Sequence, residues 1–92
     1  MPTLSAAEIA SHLKNRPDWR IEGGELVRTF QFEKFPDAVA FVDKVAVLAE
    51  EAGHHPDIDI RYNRVRLALV THDAGGLTNK DFAVAAGADR LA

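Results

Sequence analysis

The stretch Asp57-Ile58-Asp59-Ile60-Arg61-Tyr62 alternates charged and apolar residues without a break, and Val65-Arg66-Leu67-Ala68-Leu69-Val70-Thr71 follows with Val65, Leu67 and Leu69 at every second position. A period of two places alternate side chains on one face of a strand, so both stretches read as half-buried strands. With Asn63 and Arg64 as the loop between them, the connection is too short for anything but an antiparallel pair, since a parallel pair needs a crossover of roughly a dozen residues or more. This hairpin restricts the chain to folds in which an antiparallel sheet has one covered face.

The rest of the sequence supplies the cover. Leu4-Ser5-Ala6-Ala7-Glu8-Ile9 has the pattern of a capping box with a hydrophobic staple, so a first helix is expected from Ala6 to about Asn15, ahead of Pro17. Trp19-Arg20-Ile21-Glu22, Gly23-Gly24 and residues 25–32 read as strand, glycine turn and strand, with Leu26, Phe30 and Phe32 on one face. Pro36 and Asp37 suit the first turn of a second helix. Its apolar positions Ala38, Phe41, Val42, Val45, Leu48, Ala49 and Ala52 recur at helical spacing, and Gly53 offers a left-handed stop. A third helix is expected from Asn79, behind the box Thr78-Asn79-Lys80-Asp81. The order is α-β-β-α-β-β-α within one α+β domain over residues 1–92: a four-stranded antiparallel sheet with three helices packed on one face.

Composition narrows the chemistry. The 92 residues contain no cysteine, which removes disulfides, thiolate nucleophiles, zinc ribbons and iron–sulfur ligation together. Eleven Lys and Arg against fourteen Asp and Glu give a net charge of −3 with no block of one sign, a poor match to a phosphate-tracking nucleic-acid binder. Apolar runs such as residues 38–42 and 45–49, five residues each, fall far short of the roughly 20 residues that span a bilayer. The N-terminus lacks the pattern of a signal peptide, so a cytoplasmic location is expected.

Histidine and carboxylate remain as the reactive groups. If Tyr62 pairs with Val65, continuing the register outward sets His55 directly opposite His72, off the core face, with Cβ atoms roughly 4.5–5.5 Å apart. His54 is adjacent, Glu50 lies in the last turn of the second helix and Asp81 in the first turn of the third. Imidazoles that titrate near neutrality beside carboxylates suit proton transfer on a bound small molecule. Other roles stay open for these residues. Asp81 also suits a cap, Glu50 and Glu51 a solvated helix face, Trp19 a core position, and His12 lies away from the cluster. His54, His55, His72 and a carboxylate would also compose a zinc shell, but neighbours on a strand point to opposite faces and chelate one ion poorly, so no metal is expected.

At these residues the chain resembles the pterin-4a-carbinolamine dehydratases: Glu50-x3-His54-His55-Pro56-x5-Tyr62-x9-His72-x8-Asp81 looks like that family's signature. Trp19, the 35–52 helix, Thr71-His72 and Gly76-Leu77-Thr78 extend the likeness over nearly the whole chain. The resemblance implies an enzyme without metal or cofactor that dehydrates 4a-hydroxytetrahydropterins to quinonoid dihydropterins, in the recycling of the aromatic amino-acid hydroxylase cofactor. It implies His54, His55, His72 and Asp81 as catalytic residues. Glu50, Pro56, Thr71, Asp73, Ala74 and Trp19, with the histidines, are implied as substrate contacts, and a homodimer or homotetramer as the assembly. Gly53 stands where many relatives are acidic, and Lys80 where they have arginine. The alternative implications are pterin binding in molybdopterin or folate metabolism, and the dimerisation of a homeodomain transcription factor known for animal members.

Overall fold

The computed structural model describes residues 2–92. Its elements are α1 (Ala6–Lys14), β1 (Arg20–Glu22), β2 (Glu25–Gln31), α2 (Phe35–Ala52), β3 (Asp57–Arg61), β4 (Arg64–Leu69), a short 3-10 turn (His72–Ala74) and α3 (Asn79–Leu91). The expected order holds, and the four antiparallel strands lie in the order β1-β2-β4-β3. The local signals behave as anticipated at three places. Ser5 and Glu8 close a capping box on α1. Gly23 and Gly24 both take positive φ in the β1–β2 turn, the conformation that glycine tolerates best. Gly53 stops α2 at φ 62°.

Leu26 and Phe30 of β2 pair with Leu69 and Val65 of β4, and these side chains share one cluster with Ala38, Phe41 and Val45 of α2 and Phe82, Ala85 and Ala88 of α3. Leu4, Ile9 and Leu13 pack α1 against the same cluster. The three helices therefore cover one face of the sheet. Val27 and Ala68, paired on the other face, are buried but stand outside this cluster. No helix among the described residues is long and apolar enough to cross a membrane.

The second hairpin turns one residue earlier than expected, which shifts every β3–β4 pairing by two residues. Arg61 pairs with Arg64 and Ile60 with Val65, so the turn residues are Tyr62 and Asn63, and Tyr62 takes φ 54°. A long-range contact decides this. Asn63 Nδ2 donates to the Phe32 carbonyl at 2.7 Å and the Phe32 amide donates to the Asn63 carbonyl at 2.8 Å, which pins Asn63 to the end of β2. Because the slip is by two residues, every side chain keeps its face. The pairing of His55 with His72 does not survive it: β3 begins only at Asp57, and His72 opens the 3-10 turn beyond β4.

Candidate functional site

Although not paired, the three histidines converge. Gly53 turns the chain out of α2, the His54 amide still donates to the Ala49 carbonyl at 3.1 Å, and the two imidazoles follow where α2 hands over to β3. On the other side, β4 runs into Thr71 and the 3-10 turn brings His72 and Asp73 back over the N-terminal end of α3. Between them lies an open cavity of about 290 Å³ whose wall includes His54, His55, Thr71, His72, Asp73 and Lys80. A larger groove of about 380 Å³ between α2 and α3, at Val47, Leu48 and Gly87, is apolar and holds none of the histidines.

The imidazoles have different supports. His54 Nε2 lies 2.5 Å from Asp81 Oδ1, and the His54 side chain is only 11% exposed while Asp81 is fully buried. The second oxygen of Asp81 accepts the Thr78 amide at 2.9 Å and the Thr71 hydroxyl at 2.8 Å. His54 is thus held from below by a carboxylate that is itself held on all sides. His55 Nε2 meets Glu50 Oε2 at 2.8 Å, but both side chains are more than half exposed. Such a surface pair contributes about 0–1 kcal/mol and leaves His55 free to reorient. His72 is exposed and forms no side-chain hydrogen bond among the described residues.

Several expected site residues stand apart from the cavity wall. Asp81 lies beneath it and touches His54. Glu50 acts on His55 from outside, Pro56 follows the histidine pair, and Ala74 closes the 3-10 turn. Trp19 is a core residue: it is 3% exposed and its indole N–H donates to Asp89 at 2.9 Å. Asp89 follows Asp81 by eight positions along α3, about 12 Å at the helical rise, so Trp19 stands apart from the cavity wall. Asp89 also accepts Arg16 and Arg28, so this second carboxylate ties β2 and the segment that follows α1 to the end of α3. Thr78 and Lys80 were legible in the sequence only as a cap and as a departure from the family pattern. The structure puts Thr78 in the buried network around Asp81 and Lys80 on the cavity wall. Among the described residues no three His, Asp or Glu side chains are arranged to hold one metal ion.

This arrangement sets a carboxylate-anchored imidazole and two freer imidazoles around a small cavity at the edge of an α+β sheet. The model of the family described as pterin 4 alpha carbinolamine dehydratase matches residues 2–91, and the chain belongs to that family. A protein of Chloroflexus aurantiacus, provisionally named as a pterin-4-alpha-carbinolamine dehydratase, is 69% identical over 91 residues, covering 99% of this chain and 98% of its own. A similarly named protein of Acidobacterium capsulatum is 56% identical over 91 residues and 99% of both chains. Among solved structures, a transcriptional coactivator/pterin dehydratase of Brucella melitensis superposes with a TM-score of 0.93 at 32% identity over 98% of both chains. A pterin dehydratase-like protein identified as a RuBisCO assembly factor in the alpha-carboxysome superposes with a TM-score of 0.69 at 32% identity, over 80% of this chain and 88% of its own.

Proposed function

We propose that this protein dehydrates 4a-hydroxytetrahydropterin to quinonoid dihydropterin, without metal or cofactor, in the cytoplasmic recycling of a tetrahydropterin. In that reaction the C4a–O bond breaks and its electron pair leaves with the hydroxyl oxygen, which takes a proton from an acid and departs as water. The neighbouring ring nitrogen gives its proton to a base as the C=N bond forms. One group loses a proton and the other gains one, so a pair of imidazoles, one charged and one neutral, carries the same total before and after.

The observation that supports this reading is the cavity itself, with its three imidazoles on elements that approach from two sides. His54 is fixed by Asp81, whereas His55 and His72 are exposed enough to follow a flat ring. Each acid or base role of this kind contributes about 10²–10⁴ in rate. The test is dehydration of synthetic 4a-hydroxytetrahydropterin followed by stopped-flow absorbance, with and without chelator. Wild-type turnover should survive chelation, and His55→Ala combined with His72→Ala should fall almost to the uncatalysed rate. A double variant within about threefold of wild type would sink the assignment of these two histidines. Turnover lost to chelator and restored by zinc would overturn the metal-free chemistry.

A further inference from the structure

The buried side of the site contains a chain of hydroxyls that the reaction outlined above does not use. Thr71 Oγ1 lies 2.8 Å from Asp81 Oδ2 and 2.9 Å from Thr78 Oγ1, and Thr78 Oγ1 in turn lies 3.3 Å from the Lys80 amide. Thr78 is fully buried and Thr71 is 8% exposed, so water has little access to either hydroxyl.

A threonine hydroxyl has one proton to give. Thr71 gives its proton to the Asp81 carboxylate, so its oxygen must accept from Thr78. The Thr78 hydroxyl is thereby committed as a donor, and its own oxygen accepts the Lys80 amide. Every bond in the chain runs the same way, from the first turn of α3 into Asp81. The Thr78 amide adds a further donor to the same oxygen of Asp81. The other oxygen faces His54 Nε2. Of the two groups the carboxyl is intrinsically the stronger acid, so the proton between them sits on the imidazole.

We infer that Thr71 and Thr78 are positioning residues for the proton transfer: their one-way hydrogen-bond chain ends on Asp81, fixes His54 as the Nε2–H tautomer and leaves Nδ1 as its proton-accepting atom. Each donor spreads the charge of Asp81 and weakens its pull on the ring beside it. This inference rests on the dehydratase reading for its purpose, but not for its geometry.

Nitrogen-15 NMR of the uniformly labelled protein without substrate tests it. Above its titration, the neutral His54 ring of the wild type should show Nε2–H, and an Nδ1–H ring would overturn the inference whichever variants fold. Thr71→Val removes the last hydroxyl of the chain at nearly constant shape. It should move the His54 titration midpoint upward, whereas Thr71→Ser should restore the wild-type midpoint. A folded Thr71→Val protein whose midpoint stays or falls would equally overturn it. The other titratable groups around the ring are Glu50 and His55 beside α2, His72 and Asp73 of the 3-10 turn, and Lys80 and Asp81 of α3. All are common to the three proteins, so the difference reads the hydroxyl. If the tautomer and midpoints come out as expected while no carbinolamine is dehydrated, the reaction is refuted and the chain stands.

Discussion

Asp81→Asn separates the support of the fold from the support of the chemistry. Asp81→Ala would not, because it leaves the Thr78 amide and the Thr71 hydroxyl buried without an acceptor, at roughly 1–3 kcal/mol each. Against a total stability of roughly 5–14 kcal/mol for 92 residues, that loss clouds any kinetic result. Asparagine has nearly the same shape. Its amide oxygen can take the place of Oδ2 and keep both of those donors, which puts the NH2 group where Oδ1 faces His54. Hydrogen bonds to a neutral amide replace charge-assisted ones, a change worth about 1–3 kcal/mol in sum. For a domain of this size that lowers the melting temperature by roughly 5–20 °C, within reach of a folded protein at 25 °C. The chemical effect is larger. An NH2 group forces His54 Nε2 to accept, the ring proton moves to Nδ1, and His54 is lost as a third proton acceptor beside His55 and His72, so kcat should fall by about 10²–10⁴. Because Asp81 does not line the cavity, KM should stay within about threefold of wild type. Thermal melts monitored by circular dichroism check the first part and stopped-flow dehydration the second. A variant that melts in this window yet turns over at the wild-type rate would refute the assignment of Asp81 to His54.

Trp19→Phe should have the opposite signature. Losing the indole bond to Asp89 and part of the core volume costs roughly 2–4 kcal/mol, read as a lower melting temperature, while KM stays unchanged; a raised KM at unchanged stability would return Trp19 to the substrate. Self-association is also expected, as a homodimer or homotetramer. The outer edge of β3 is unpaired and carries Ile58 and Ile60, each more than a third exposed, and Val47 of α2 is 60% exposed. Sedimentation equilibrium at micromolar concentration should give a multiple of 10.1 kDa, and a single active species near that mass would refute it.

The sequence carried the elements and the faces, and it failed where a distant contact made the choice. Pro36, Gly53 and the glycine pair act within their own turns, so their effects could be read directly. The hairpin turn was ambiguous because Asn63 sits inside it on either reading, and only its bonds to Phe32, thirty-one positions earlier, select Tyr62-Asn63. An error of two residues leaves the core intact and changes every partner, which is why the buried set was legible and the opposition of His55 to His72 was not. The convergence of the histidines survived because it depends on where helix and strand ends meet, not on a cross-strand pair. Asp81 posed a different difficulty. Thr78-x-x-Asp81 reads as a cap, and Asp81 beside the converging histidines reads as an acid–base partner, and these looked like rival roles. They are divided between its two oxygens: Oδ2 takes the Thr78 amide and closes the cap, while Oδ1 takes His54. The cap is what makes the second role possible, since the first turn of α3 holds the carboxylate rigid and buried at the place where a mobile surface aspartate could not fix one imidazole.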